Sequence, residues 1–376
     1  MNRNFLHATA ILVGTMVGVG VFGIPFAFSK SGLLIGFLFL AAIGFFTLII
    51  NLLYGEIVLR TSAPHQLVGY TNFYLGPVFK RIILFSILLG TYGALLAYII
   101  IAGDFLNNIL SSFFKLTPGG YSTWFFIIGS FFVLAGHRTV AWVEFFLMSL
   151  FIGVVIMVVI LGVPHINIEN FQYTDWKSWF LPYGVLLFAF AGMAAVPIQR
   201  DLLSGQENKL KKSITIGVLV TGALYLAFAL TILGISGAAT SPDAINGLIE
   251  PLGGKIVFLG SLFGILAVST SFIMLGSILL DTFSLDYGIS RFKAWLMVVI
   301  LPFVLFVGGL RSFVDVISLA GSLGIGIESI ILIKTFIKAK TKGDRVPEYS
   351  LSIPAWFLYL LMAIFAGGVV YALFVR

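Results

Sequence analysis

Eleven apolar runs, most of them about 20 residues long, make up the greater part of this 376-residue chain. A helix needs about 20 apolar residues to cross the hydrocarbon core of a bilayer. Because 60% of the residues are hydrophobic and only 10% are charged, against about 25% in soluble domains, we predict an all-α polytopic membrane protein. The runs cover approximately residues 6–29, 33–58, 80–103, 121–136, 140–163, 178–199, 213–237, 255–280, 292–309, 312–335 and 353–374.

The lysines and arginines between the runs suggest an orientation. If the amino terminus is cytoplasmic, sixteen of the 22 fall on the cytoplasmic side and six on the other. This is the asymmetry that the positive-inside rule describes. We therefore expect a multi-pass protein of the cell (plasma or inner) membrane with a retained first span. The polar connections are too short to fold alone, which predicts one transmembrane domain over residues 1–376.

The first run contains an interruption, GTMVGVGVFGIP, from Gly14 to Pro25. Glycine and proline both weaken a helix, so the first span is predicted to break in mid-membrane. The sixth run has a similar feature, FAFAGMAAVP, in which Gly192 lies five residues before Pro197, as Gly20 lies five before Pro25. Paired interruptions in two halves indicate the binding site of a secondary transporter. The alternative is that this spacing arises by chance, because membrane helices tolerate both residues.

The chain crosses the membrane five times between the start of the first run and the start of the sixth, and because five is odd, the second unit would enter the membrane from the opposite face. This predicts two inverted repeats, at about 6–163 and 178–335, with an extra helix at about 353–374.

Four stretches carry a resemblance to a known family: GVGVFGIPFAFSKSG (residues 18–32), FAFAGMAAVP (188–197), KLKKSITIG (209–217) and GDRVPEYS (343–350). They resemble amino-acid permeases of the amino acid/auxin permease and aromatic amino acid permease branches of the amino acid-polyamine-organocation superfamily. The resemblance implies the leucine-transporter (LeuT) fold, a 5+5 inverted repeat with an eleventh helix and with the first and sixth helices broken. It also implies an amino-acid substrate, held at the two breaks and moved by alternating access.

An amino acid zwitterion needs N–H donors for its carboxylate and acceptors for its ammonium group. The amides of Val19 and Gly20 match the positions of the family's carboxylate cradle. Free carbonyls near Met16 and at 188–191, which include Ala191, would accept from the ammonium group. The remaining predicted ligand contacts are aromatic, and packing explains each of them as an alternative: Phe188, Phe190 and Tyr92.

The resemblance also implies a sodium site. The family uses an alanine carbonyl followed three and four residues later by hydroxyls, and Ala267, Thr270 and Ser271 have this spacing. The carbonyls of Gly14 and Val17 would complete the site. Proton-coupled relatives often place a lysine in the fifth span, and the run at 140–163 has none, which favours Na⁺. The alternative is that these hydroxyls bond to their own helix.

Glu328 lies deep in the tenth run without an obvious cation beside it. Ionisable groups within spans are candidates for function, so Glu328 is the candidate for proton coupling. A helix–helix hydrogen bond is the alternative role. Arg3 resembles one half of the family's inner gate, with Asp286 or Asp281 as its partner.

Taken together, these features predict secondary active uptake of neutral or aromatic amino acids coupled to Na⁺, with no other cofactor. A proton-coupled symporter that uses Glu328 is the first alternative, and an amino-acid sensor without efficient transport is the second. No phosphate-binding loop, nucleophile elbow or HExxH motif is present in the sequence, so we expect no enzyme. The expected partners are the amino acid and the lipid bilayer, with no nucleic acid and no obligate protein partner.

Overall fold

The computed structural model describes residues 3–135 and 140–374, without the side chains of residues 140–149, 151, 250–251 and 285–286. Helices account for most of these residues. The α-helices are α1 (Arg3–Met16), α2 (Gly20–Ser31), α3 (Leu33–Leu59), α4 (Leu67–Leu75), α5 (Pro77–Leu110), α6 (Pro118–Ala135), α7 (Val140–Gly162), α8 (Leu181–Ala189), α9 (Ala195–Leu202), α10 (Leu210–Ser236), α11 (Ile249–Leu252), α12 (Gly254–Asp281), α13 (Arg291–Val307), α14 (Phe313–Ala320), α15 (Gly326–Lys342) and α16 (Ala355–Phe374).

The helices follow the apolar runs closely, and most helix ends fall within a few residues of the predicted ends. In the part of the chain that the structure describes, seven helices or helix pairs are long and apolar enough to span a membrane, and α1 with α2 forms an eighth, bent span. Eleven spans therefore remain a prediction. A nine-residue helix, α4, lies within a polar connection and was not predicted.

Both predicted interruptions are present. In the first run, α1 ends at Met16 and α2 begins at Gly20, and the two helices meet at an angle of 54°. In the sixth run, α8 ends at Ala189 and α9 begins at Ala195. Pro25 lies inside α2 rather than at the break. The first break is therefore centred on Gly18, not on the proline.

The tenth run has a third irregularity, a π-helical segment at Gly321–Ile325 between α14 and α15. Glycines allow it to approach α8 closely, since a Cβ atom on Gly321 would lie 2.1 Å from the carbonyl oxygen of Gly184. The hydroxyl of Ser86 in α5 donates to the carbonyl of Gly324 at 2.7 Å. The segment therefore connects α5 with the first half of the broken sixth run.

The connection between α15 and α16 lies across the end of α3 at Leu59. The buried carboxylate of Glu56 in α3 forms ion pairs with Arg60 at 2.8 Å and with Lys340 at 3.2 Å. The main-chain amide of Leu351 also donates to Glu56 at 2.6 Å. We call residues 343–353 the strap, because Leu351 and Ser350 both donate to Glu56 and the Tyr349 hydroxyl donates to the carbonyl of Leu52 in α3.

Candidate functional site

The two helix breaks lie beside one another and are joined by Tyr225 of α10. Its hydroxyl lies 2.6 Å from the carbonyl oxygen of Met16, at the end of α1, and 2.7 Å from that of Ala189, at the end of α8. Tyr225 is fully buried. One side chain therefore contacts the carbonyl ends of both half-helices.

The breaks also provide main-chain amides that are free to bind a ligand. In the part of the chain that the structure describes, no oxygen accepts a hydrogen bond from the amide of Val19, and the same is true of the amides at 192–194. The start of a helix carries partial positive charge and its end carries partial negative charge. Two helix ends, at Met16 and Ala189, and two helix starts, at Gly20 and Ala195, meet here. The site therefore offers both polarities without an ionisable side chain among the residues of the breaks.

Gly20 lies against the end of α8. A Cβ atom on Gly20 would lie 2.7 Å from the Cα atom of Ala189. By contrast, a Cβ atom on Gly14 or on Gly18 would meet nothing within 4 Å. The structure therefore assigns Gly20 to close helix packing and places open space beside Gly14 and Gly18.

Buried polar contacts connect α1 with α9 and α10. The side-chain amide of Gln199 donates to the carbonyl of Ala8 at 3.0 Å and to the hydroxyl of Ser213 at 2.9 Å. The hydroxyls of Ser213 and Thr9 lie 3.1 Å apart. The second half of the sixth run, α9, and the seventh run, α10, thus share polar contacts with α1, the first half of the first run.

The three predicted aromatic contacts lie in different surroundings. Phe190 is buried, and its ring meets the ring of Tyr225 edge to face at 5.0 Å. Phe188 is partly buried and lies beside Gly321 of the π-helical segment. Tyr92 donates to the carbonyl of Met297 in α13 at 3.0 Å. The structure thus brings Phe190 to the breaks, whereas the hydroxyl of Tyr92 is engaged with α13.

The predicted sodium ligands come from helices with different neighbours. α1, which carries Gly14, packs mainly on α9 and α10, and α12 packs mainly on α5, α6 and α7. Thr270 donates to the carbonyl of Ala267 at 3.0 Å, within its own helix. A hydroxyl that bonds to its own helix was the alternative to sodium binding, and Thr270 makes such a bond. It leaves the lone pairs of the Thr270 hydroxyl available, so sodium binding by Ala267, Thr270 and Ser271, with Gly14 and Val17, stays a prediction.

Glu328 lies near the start of α15 and is 8% exposed. A Cβ atom on Gly90 of α5 would lie 3.9 Å from its Oε1 atom. Within residues 3–135 and 140–374, its carboxyl group makes no hydrogen bond within 3.5 Å and no ion pair within 4.0 Å. The helix–helix hydrogen bond proposed as its alternative role is therefore not seen among the described residues.

Arg3 and the two aspartates predicted as its gate partners are not paired with one another in the part of the chain that the structure describes. Arg3 is exposed at the start of α1 and makes no ion pair with the described side chains. The side chain of Asp286 lies outside the described residues. Asp281 instead forms an ion pair with Arg291 at 3.3 Å.

Sequence reasoning did not identify Tyr225 or Gln199 as site residues. Tyr225 lies in the apolar seventh run, and its position opposite the two breaks depends on how α10 packs. A single tyrosine in an apolar helix is more often a packing residue, so the sequence carried no specific signal.

Comparison with known families and curated proteins points to amino-acid transport. Residues 1–374 match the family described as the tryptophan/tyrosine permease family. The chain is 24% identical over 372 residues to the tyrosine-specific transport system 1 of Haemophilus influenzae, covering 92% of this chain and 91% of that protein. It is 22% identical over 367 residues to glutamine transporter 2 of Aliivibrio fischeri, with 94% of each chain covered.

Among solved structures, the chain resembles the crystal structure of MhsT in complex with L-phenylalanine. The TM-score is 0.62 at 15% sequence identity, over 99% of this chain and 98% of that one. This likeness concerns the fold alone and confirms the predicted LeuT-type fold with its broken helices.

Proposed function

The chain belongs to the tryptophan/tyrosine permease family, and on that premise we propose that this amino-acid transporter carries an aromatic amino acid, with tyrosine as the first substrate to test. The family description and the tyrosine-specific relative support an aromatic substrate. The glutamine transporter among the relatives supports the wider class of neutral amino acids.

The observation that carries this proposal is the pairing of the two breaks through Tyr225. A zwitterion presents one anionic and one cationic group a short distance apart. The free amide of Val19 suits the carboxylate, and the carbonyls of Met16 and Ala189 suit the ammonium group. Such backbone groups bind the carboxylate and the ammonium group of the substrate without any charged side chain. A charged side chain buried in the membrane would be costly.

Movement of the substrate is part of the same proposal. In our proposal, a unit formed by the first, second, sixth and seventh runs rocks against the remaining helices, with the substrate at the junction. The direction we propose is uptake across the cell membrane, with the amino terminus in the cytoplasm.

For the coupling ion we propose Na⁺, bound by the oxygens of Gly14, Val17, Ala267, Thr270 and Ser271. Neutral oxygen ligands suit a hard monovalent cation. Proton coupling is the second candidate, because the buried Glu328 carboxyl has no hydrogen-bond partner among the described residues. Glu328 also lies three residues after the π-helical segment that contacts α8.

The test is uptake of radiolabelled L-tyrosine into proteoliposomes of the purified protein, with phenylalanine, tryptophan and glutamine as competitors. We expect saturable uptake that an inward ion gradient stimulates and aromatic competitors suppress. Tight binding of tyrosine without uptake would indicate a sensor. Neither binding nor uptake of any of the four amino acids would overturn the proposed substrate class.

A further inference from the structure

The Tyr225 hydroxyl has more acceptors than it has hydrogens. It lies 2.6 Å from the oxygen of Met16 and 2.7 Å from that of Ala189. A tyrosine hydroxyl donates one hydrogen. It therefore satisfies one of the two carbonyls at any moment and leaves the other without that bond.

The two carbonyls do not depend on Tyr225 equally. The oxygen of Met16 also accepts from the amide of Gly18 at 2.8 Å. In the described part of the chain, no main-chain amide donates to the oxygen of Ala189. A buried carbonyl without a donor costs free energy. The two adjacent carbonyl oxygens thus share one hydroxyl hydrogen, and a donor with more hydrogens would serve both of them at once.

We propose that the Tyr225 hydroxyl occupies, in the substrate-free transporter, the position that the ammonium group of the amino acid takes, and that binding displaces it. This inference rests on the proposed function, because it requires an amino-acid substrate. An ammonium group carries three hydrogens and serves both carbonyls at once. Its hydrogen bonds to carbonyl oxygens have lengths close to those that the hydroxyl makes here.

The aromatic ring that packs against Tyr225 has free space beside it. Its neighbour Phe190 lies beside two glycines, where a Cβ atom on Gly44 or Gly222 would stand 3.5 or 3.6 Å from the ring. Each glycine therefore leaves room for about one methyl group beside the ring. The ring of Phe190, which packs edge to face on the ring of Tyr225, therefore has space beside it into which it can shift.

The first test is Tyr225→Phe, which removes the hydroxyl and keeps the ring. Displacement predicts that the variant binds L-tyrosine about two- to tenfold more tightly than the wild type, because the substrate no longer competes with a hydrogen bond. Both KM and kcat for uptake should fall. Binding of 3-(4-hydroxyphenyl)propanoate, which lacks the ammonium group, should not change.

Tyr183→Phe is the matched control. The Tyr183 hydroxyl is also buried and has no hydrogen-bond partner among the described residues, and Tyr183 lies beside Gly368 of α16. Its removal should leave tyrosine binding unchanged. Weaker or unchanged tyrosine binding by Tyr225→Phe would overturn the proposal. It would show that the Tyr225 hydroxyl keeps its hydrogen bonds to the two helix ends when substrate binds.

A second measurement keeps the hydroxyl of residue 225 and therefore does not depend on whether Tyr225→Phe folds. 3-Fluorotyrosine is placed at position 225, and its ¹⁹F resonance is followed during titration. We expect the resonance to shift with L-tyrosine but not with the des-amino compound. No shift at a tyrosine concentration that saturates binding would overturn displacement. Absence of tyrosine binding by the wild type would instead count against the proposed function.

Discussion

Gly20 and Ala189 are packed so closely that a Cβ atom on Gly20 would lie 2.7 Å from the Cα atom of Ala189. The start of α2 therefore rests on the end of α8, and the two broken runs meet backbone to backbone. Because the contact is with main chain, no side-chain rotation relieves a larger residue at position 20.

The first prediction concerns this contact. Gly20→Ala should destabilise the protein by about 1–3 kcal/mol, the usual cost of overpacking. Gly18→Ala is the control, because a Cβ atom there meets nothing within 4 Å. The midpoint of thermal unfolding in detergent measures both. Equal midpoints for the two variants would show that the halves of the site are not packed as described.

The second prediction concerns the strap. Glu56→Gln removes the buried negative charge that pairs with Arg60 and Lys340, and it replaces one of the two acceptor oxygens by an NH₂ group. Breaking a buried ion pair by removing one partner costs on the order of 3 kcal/mol, so the thermal midpoint should fall clearly. Glu348→Gln is the control, because Glu348 pairs with Arg345 where both side chains are partly exposed. Protease cleavage within residues 343–353 should increase in Glu56→Gln alone, and unchanged cleavage would argue against the strap.

The third prediction is a pH dependence outside the membrane-spanning helices. Asp243 is buried in the connection after α10, and its Oδ2 atom has no hydrogen-bond partner among the described residues. Burial raises the pKa of Asp243, against the hydrogen bonds from Ser241 and Asn246, which lower it. The folded protein therefore binds this proton more tightly than the unfolded chain does. The contribution of Asp243 to stability is fully present below about pH 3.9, the pKa of an unperturbed aspartate, and is lost as pH rises through the raised pKa.

Asp243→Asn measures this contribution. Thermal midpoints of the wild type should fall more steeply than those of the variant as pH rises from acidic values to neutrality. Parallel pH profiles of the two proteins would contradict the assignment.

The fourth prediction separates the two coupling ions. If Na⁺ binds beside Thr270, Thr270→Ala should lose sodium-stimulated uptake of tyrosine. Thr335→Ala is the matched control, because Thr335 is also buried, in α15, and donates to its own helix at 2.9 Å. If protons drive transport instead, Glu328→Gln should lose stimulation by an inward proton gradient while Thr270→Ala keeps its uptake. If sodium still stimulates uptake by Thr270→Ala, the proposed sodium site beside Thr270 is excluded.

The sequence was sufficient to predict the membrane class, the positions of the helices and the two breaks. These features depend on local composition: long apolar runs form helices in lipid, and glycine-rich stretches interrupt them. The break in the first run was predicted within the stretch from Gly14 to Pro25 and lies there, around Gly18, while Pro25 proved compatible with α2. Local signals of this kind need no knowledge of the partner helix.

The site was less predictable because it depends on which helices meet. Tyr225 reaches both breaks only because α10 packs beside α1 and α2, and nothing in its neighbouring sequence shows this. Tyr92 was predicted to contact substrate, and its hydroxyl bonds to α13. Gly20 was predicted to let a ligand approach its main-chain amide. In the structure, the main chain of Ala189 lies against the Cα atom of Gly20. The π-helical segment beside Glu328 has no simple sequence signature.

The most direct test of the central claim, that the amino acid binds between the two helix breaks, is hydrogen–deuterium exchange with and without saturating L-tyrosine. We expect ligand protection in peptides that cover residues 14–25 and 188–197, where the free amides of Val19 and residues 192–194 would bond to substrate. Peptides from α16 should be unaffected. Saturating binding without protection of either break, or with protection confined to other helices, would contradict the account.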